Sequence, residues 1–531
     1  MANFNSYLKE HTNPPVFLIS VAMVFAFVGW GVIAPNNLGY VSNGIMGFIT
    51  HYFGWWYVAG MTGFVVFVLV LMLSPYGRIK IGKDDEEPEW STWGWFSMLF
   101  TAGMGIGLVF YGVAEPIFHF NSPPVGEAKT AEAAVTAMNI TFFHWGVHPW
   151  AMYIIVGLSM GYFCFRHDLP LRPASAFYPL IGNAVYGWLG NAIDVLAVFG
   201  TLFGLATSLG IGATQINAGL NAVFGLPVSA GWQVIIIAVV TAVAVTSVMA
   251  GLDAGVRRLS VINMYLAILL AIVVFVVGPT LFILEFLVGS AGHYIQHLPE
   301  TSMRMFALSK EGSEWINSWT IFYWGWWIAW SPFVGMFLAR ISRGRTIRQF
   351  IVGALFATTG ASLFWFTTFG GSAIDLIMND GNEALSNSGT TDAMFVLMEQ
   401  LPLPAAFVMV FSLLAVLVVA IFFATSSDSG SLVVDMLTNG GDPQPVWTQR
   451  LFWAVTEGVI ASILLVAGAA VGGDPLSGLQ TAAVTSGLPM SIIIGFMAWG
   501  LVRQLRTETI PPIQGQSRTL KTPAQQRQAA E

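Results

Sequence analysis

The chain has 531 residues, 55% hydrophobic and only 9% charged, with a formal net charge of −7. Soluble proteins carry roughly 25% charged residues, so most of this chain must face lipid, and an acidic balance without a basic stripe excludes nucleic acid as a partner. A single cysteine, Cys164, excludes an internal disulfide. At the N-terminus a polar segment with Lys9 precedes an apolar run from Pro15 to Pro35. That run is too long for a signal-peptide core and lacks a small-residue cleavage site, so it reads as a retained first span. Further runs of about 20 apolar residues, the length that crosses a bilayer, follow along the chain. The twelve predicted spans cover 15–36, 52–74, 91–114, 138–164, 193–224, 231–250, 260–287, 318–340, 349–371, 403–436, 448–470 and 477–502.

Basic residues orient these spans. With both termini inside, 18 of the 21 Lys and Arg residues fall in inner segments, and only Lys129, Arg304 and Lys310 fall outside, the asymmetry expected of cytoplasmic loops. Two outer connections are long. Residues 288–317 hold an amphipathic stretch suited to the interface, and residues 372–402 are polar and read as a solvated loop, with a lid or subunit contact as the other reading.

Span three contains Gly103-Met104-Gly105-Ile106-Gly107. Glycines weaken a helix by roughly 1 kcal/mol each relative to Ala, and two readings fit. One is close helix packing through the Gly103/Gly107 GxxxG. The other is an unwound segment whose bare backbone groups line a cavity. The spacing fails the dinucleotide fingerprint. Span four reads His144-Trp145-Gly146-Val147-His148-Pro149-Trp150, with Tyr153 one turn beyond Trp150. The His-x-x-x-His pair lacks a third ligand, which argues against a metal centre. No nucleophile–base–acid set appears, which argues against an enzyme.

Span eight carries Trp324, Trp326, Trp327 and Trp330 and then Ser331-Pro332. Residues 326, 327 and 330 share a helix side. Converging indole faces can hold a quaternary ammonium, a cation with no hydrogen-bond donors; an aromatic belt at the interface is the other reading. Ser331-Pro332 is expected to break this helix, and two broken helices in matching positions of two halves point to a transporter site. Twelve spans then divide as two plus five plus five. Span ten ends with Thr425, Ser426 and Ser427. Such hydroxyls usually bond their own i−4 carbonyls, although Thr425 and Ser426 also offer oxygens to a hard cation. Asp428 reads as an ion-pair or capping partner.

Together, Gly103–Gly107, Tyr111-Gly112, Glu115-Pro116, the His144–Trp150 segment and the Trp324–Phe333 block running into Ala339–Arg345 resemble the betaine–choline–carnitine transporter family over roughly residues 15–503, most closely its sodium-coupled glycine betaine branch. The resemblance implies an all-α polytopic membrane protein of 12 transmembrane helices, two flanking helices followed by a five-plus-five inverted repeat (the sodium-coupled leucine transporter-like fold), usually as a homotrimer. It implies import of glycine betaine, or a related zwitterionic compatible solute, by sodium symport across the bacterial cytoplasmic membrane, with sodium as coupling ion and no cofactor. The expected units are a cytoplasmic tail (1–14), two N-terminal helices (15–90), the first repeat (91–287), the external amphipathic segment (288–317), the second repeat (318–502) and a cytoplasmic tail (503–531).

The same resemblance implies an aromatic box of Trp145, Trp150, Tyr153 and Trp327. Trp326 and Trp330 line the adjoining path, Gly105 and Gly107 face the substrate, and Ser208 meets its carboxylate. One sodium is expected at Thr101, Met104, Phe422, Thr425 and Ser426. A second is expected at Thr201, Tyr153 and Phe333, where Leu205 replaces the hydroxyl usual one turn on. No Lys or Arg lies between Arg172 and Arg257 to mimic sodium, as it does in the exchangers. Gly107 stands where choline carriers tend to hold an aspartate. The alternatives are a sodium-independent exchanger, a carrier of ectoine, proline betaine, carnitine, choline or a sulfonium analogue, and, more remotely, a non-transporting receptor or sensor. The C-terminal tail reads as disordered, and weak osmotic activation is expected of it.

Overall fold

A computed structural model describes residues 2–103, 105–250, 256–443, 446–470 and 476–511. Among these, ten helices are long and apolar enough to cross a membrane. Helix α1 (Ala2–His11) precedes α2 (Pro14–Ile33) and α3 (Pro35–Leu73). The latter two start on proline, whose missing N–H is no loss in a first turn. α3 has 39 residues, about 58 Å at 1.5 Å per residue. The predicted span 52–74 is therefore only its C-terminal part.

Span three breaks where the glycines fall. α4 (Thr92–Gly103) stops, and α5 (Ile106–Asn121) restarts beyond Gly105, whose backbone is extended (φ −143°, ψ −178°). Each piece alone is too short to count among the ten. Span four is also interrupted, which the sequence pattern did not predict. α6 (Ala131–Trp145) ends at Gly146, and α7 (Val147–Gly161) starts with Pro149 in its first turn. A Cβ on Gly146 would stand 2.4 Å from the Phe142 carbonyl oxygen and 2.7 Å from the Tyr294 hydroxyl, so this bend requires glycine.

Next come α8 (Trp188–Phe224), α9 (Ala230–Ala250) and α10 (Val256–Val277). The span predicted to reach 287 ends at Val277. Gly278-Pro279 then redirects the chain into α11 (Thr280–Ser302), which buries Tyr294 and exposes Leu281 and Ile295.

Contrary to expectation, α12 (Phe322–Ile341) runs unbroken through Ser331-Pro332. Pro332 has no N–H to offer the Ile328 carbonyl, but the Ser331 hydroxyl donates to that oxygen at 2.7 Å and keeps it satisfied. The irregularity lies earlier, in a π turn over Asn317–Ile321. This helix too is absent from the ten, since its tryptophans, Ser331 and Pro332 lower its hydropathy.

α13 (Ile347–Asp380) contains π turns at Gly353–Ala357 and Thr367–Gly371. Residues 372–402, read as a solvated loop, are largely helical and bury Met394, Phe395 and Leu397. α14 (Ala405–Thr438), α15 (Trp447–Ala470) and α16 (Leu476–Leu505) complete the chain. α12 is central: it packs on α7, α8 and α16, while α14 lies along α8. Small residues permit this approach. A Cβ on Gly204 would stand 2.9 Å from the Trp330 backbone nitrogen. Two buried ion pairs tie the helices, Arg172 with Asp194 at 3.0 Å and Arg450 with Asp428 at 2.5 Å.

At one end of the molecule, loops that the charge pattern assigned to the same side meet in ion pairs. Lys83 bonds Asp168 (2.6 Å), Arg343 bonds Glu86 (2.6 Å), and Arg166 forks onto Glu508 (2.8 and 2.9 Å). The Arg166 guanidinium, followed by the Tyr162 hydroxyl, holds the Glu508 carboxyl below its ordinary range against the opposing effect of burial. A carboxyl depressed in the fold stabilises it above the ordinary carboxylate pKa, about 4.3, and that contribution is lost as pH falls through the depressed value. Glu508→Gln is therefore expected to lower the melting temperature at pH 7 by an amount corresponding to about 1–3 kcal/mol. The gap from the parent should close below about pH 4; melting curves from pH 3 to 8 check it, and a pH-independent gap would contradict the assignment.

Candidate binding site

The helix breaks and α12 together build one cavity. All nine residues predicted to meet the substrate line it. Trp145 comes from the end of α6, and Trp150 and Tyr153 from α7. Trp326, Trp327 and Trp330 project from one side of α12. Gly105 and Gly107 come from the break before α5, and Ser208 from α8.

The aromatic walls are tightly nested. The rings of Trp326 and Trp327 stack at 4.7 Å and 14°. Trp145 meets Trp327 edge-on at 4.8 Å and 72°, and Trp150 meets Tyr153 at 5.6 Å and 75°. Three indole N–H groups are engaged by the protein. Trp145 donates to Glu115 (2.7 Å), Trp326 to the Ser208 hydroxyl (3.1 Å) and Trp327 to the His144 carbonyl (3.0 Å). With these donors already bound, two of them by groups outside the lining and that of Trp326 by the lining Ser208, the side chains offer the cavity π faces and ring edges. Such walls suit a methylated cation, which cannot accept a hydrogen bond. Trp324 is separate: it packs on Phe143 (5.0 Å) and stacks on His148 (5.4 Å), and it lines neither this cavity nor the adjoining one.

Gly107 must be small. A Cβ there would stand 2.7 Å from Trp326 and 2.8 Å from Trp145. The first turn of α5 has no side-chain cap at Gly105, so backbone N–H groups at a positive helix end border the cavity. None of the lining residues is acidic.

Several participants were not assigned a role from sequence. Glu115, fully buried, accepts from Trp145 Nε1 and from the Tyr323 hydroxyl (2.5 Å), and it pairs with His144 Nδ1 (2.6 Å). It is the anchor that orients one wall. A carboxylate within an apolar helix is itself the signal that marks such a residue. Tyr111 and Phe366 back Trp145 at 6.1 and 5.1 Å, and Ser362 lines the cavity; nothing local in the sequence gives these three a role.

Of the residues expected around sodium, Phe422, Thr425 and Ser426 line a second cavity of about 650 Å³, which shares Gly105, Trp330 and Ser426 with the first. Met104 and the side chain of Thr101 lie outside the described residues. The Thr425 hydroxyl donates within its own helix, to Ile421 O (2.8 Å) and Phe422 O (3.2 Å). The second expected set is dispersed in role. Thr201 donates to Ala197 O (2.8 Å), Phe333 borders the second cavity and Tyr153 the first. Leu205 packs on Gly430, where a Cβ would stand 2.4 Å from its methyl. Ser208 donates to Gly204 O (3.2 Å) while accepting from Trp326, so meeting a carboxylate requires its hydroxyl to turn.

Fold and site define a class: a multi-pass membrane protein with an aromatic binding cavity, free of acidic lining residues, at helix breaks. The chain belongs to the betaine/carnitine/choline (BCCT) transporter family, whose model matches residues 15–510. It is 45% identical over 498 residues to a glycine betaine transporter of Acinetobacter baylyi, covering 94% of this chain and 74% of the relative. It is 46% identical to the glycine betaine transporter OpuD of Bacillus subtilis, covering 93% and 94% of the two chains. A glycine betaine/proline/choline transporter of Vibrio parahaemolyticus is 41% identical, with 93% and 90% covered.

Proposed function

We propose that this protein imports glycine betaine, or a closely related zwitterionic quaternary-ammonium solute, by sodium symport with alternating access. The observation that carries the reading is the convergence of six aromatic side chains on one cavity with three indole N–H groups already hydrogen-bonded within the protein. The cavity has no acidic lining residue, so it favours a cation that brings its own carboxylate over choline. The bare N–H groups at the start of α5, with Ser208 opposite, suit that carboxylate. Names of relatives at 45% and 46% identity support the same substrate. The broader name of the Vibrio relative keeps choline and proline as a second reading.

A betaine is neutral overall, so membrane potential alone does not concentrate it. Each co-transported charge contributes about 2.3 kcal/mol per 100 mV, and two sodium ions about 4.6 kcal/mol, over three decades of accumulation at about 1.4 kcal/mol per tenfold. Sodium belongs in this proposal at the carbonyls of Thr101, Met104 and Phe422 with the hydroxyls of Thr425 and Ser426. The Thr425 hydroxyl keeps its lone pairs for a cation while it donates to its own helix. The proposal extends to twelve spans with an inverted five-plus-five repeat, a homotrimer, the bacterial inner membrane and cytoplasmic termini. In proteoliposomes, an imposed inward sodium gradient is expected to drive betaine accumulation several-fold above equilibrium. Exchange without accumulation, or equal uptake in potassium, would overturn the symport reading, and a competition panel with choline, proline and ectoine ranks the substrates.

A further inference from the structure

We propose that Glu115, His119 and His144 form a binding site for a divalent transition-metal ion of the zinc class, and that its occupation locks the wall of the box. One oxygen or nitrogen from each residue lies within 4.8 Å of the others, and all three residues are fully buried. Two imidazoles and a carboxylate are a three-ligand set that zinc accepts, with a fourth position left open. Ligand atoms around a tetrahedral ion with bonds near 2.0–2.1 Å stand about 3.3 Å apart. His119 Nε2 is already 3.5 Å from Glu115 Oε1, and the 2.6 Å contact of His144 Nδ1 with that same oxygen has only to open by a fraction of an ångström.

A second observation points to a ligand. His119 sits among Trp315 and Trp319, 5.3 and 4.6 Å away, and among the described residues neither of its ring nitrogens makes a hydrogen bond. Its Nε2 faces Glu115 without completing one. His144 is fixed for the task, since its Nε2 bonds the Thr320 hydroxyl (3.0 Å) and leaves Nδ1 toward the cluster. Orientation of a ligand imidazole by its other nitrogen is the usual outer support of a metal site. A small cavity bordered by Thr301, Arg304, Trp315 and Thr320 adjoins the residue that holds His144. His148, the other half of the His-x-x-x-His pair, is not involved because it stacks on Trp324.

The consequence follows from the other carboxylate oxygen. Glu115 Oε2 accepts from Trp145 and Tyr323, so an ion on Oε1 immobilises the group that sets the box wall. The binding claim stands apart from the transport reading; the effect on uptake rests on it. The test uses the purified full-length chain. Stacked His293 and His297, with ring centroids 3.9 Å apart, form a separate half-buried pair, so both are first replaced by Ala. On that background Zn²⁺, titrated against a chromophoric chelator, is expected to bind once per chain and raise the melting temperature, whereas Mg²⁺ does neither. His119→Asn, its fold checked by its elution profile and melting curve, should weaken binding at least tenfold. X-ray absorption on the bound chain lacking His293 and His297 should show two imidazoles and one carboxylate in the first coordination sphere. No saturable binding, unchanged binding in His119→Asn, or a different ligand set overturns the site. Zinc that binds there but leaves uptake unchanged overturns the locking role alone.

Discussion

Trp327→Leu is expected to abolish betaine uptake at micromolar substrate, whereas Trp324→Leu retains most of it. The two indoles are three residues apart on α12, yet only Trp327 belongs to the cavity. It stacks on Trp326, meets Trp145 edge-on and is tied to the His144 carbonyl. Removing it deletes a π face, a loss of about 0.5–2 kcal/mol. It also leaves the His144 carbonyl unpaired at a further cost of about 1–3 kcal/mol. The sum corresponds to about tenfold or more in apparent affinity at 1.4 kcal/mol per decade. Trp324 fills space between Phe143 and His148, so its loss should register in the melting temperature before it registers in substrate affinity. Measured initial rates and Trp-fluorescence titrations separate the two effects. Equal losses of affinity in the two variants would remove the box assignment.

Glu115→Ala is expected to be at least as damaging, although no part of Glu115 lines the cavity. Its carboxylate collects Trp145, Tyr323 and His144. Alanine leaves three buried groups unmatched, each at about 1–3 kcal/mol, and frees Trp145 to leave its position. Glu115→Gln should fall between parent and alanine, because the amide oxygen accepts one of these donors while its NH₂ faces another. Betaine affinity by titration and uptake by filtration, read on protein that passes the same size-exclusion check, give the order parent, Gln, Ala. An Ala variant that binds betaine like the parent would show that the wall holds without its anchor.

Much of the site was legible in the sequence because the chemistry is carried by scarce residue types. Four tryptophans in seven residues, three alternating glycines and the Trp145–Trp150 segment stand out from an aliphatic background, and from them Trp326, Trp327, Trp330, Gly105, Gly107, Trp145 and Trp150 converge on one cavity. The Trp326/Trp327/Trp330 side followed from helical spacing alone. Other features were misread for physical reasons that spacing does not contain. Ser331-Pro332 looks like a break, but a side-chain hydroxyl one residue away satisfies the carbonyl that proline abandons. Gly146 looks unremarkable, but the helix bends there, and only glycine fits the bend because Phe142 and Tyr294 leave no room for a Cβ. Residues 372–402 look solvated by composition, yet Phe395 approaches Gly219 so closely that a Cβ there would lie 2.5 Å from its ring.

By itself the sequence determined the membrane character of the chain and the aromatic inventory of the site, which composition and short-range periodicity carry locally, and the order of its motifs pointed to the family. It left the span-three glycines between close packing and a break, and the fold decided for the break. Tertiary structure alone decided that three indole donors are taken up by Glu115, Ser208 and the His144 carbonyl, and that Glu115 governs a wall it does not line. Those properties arise between residues up to 208 positions apart, as for Glu115 and Tyr323. No local pattern encodes the angle at which two helices bring such groups together.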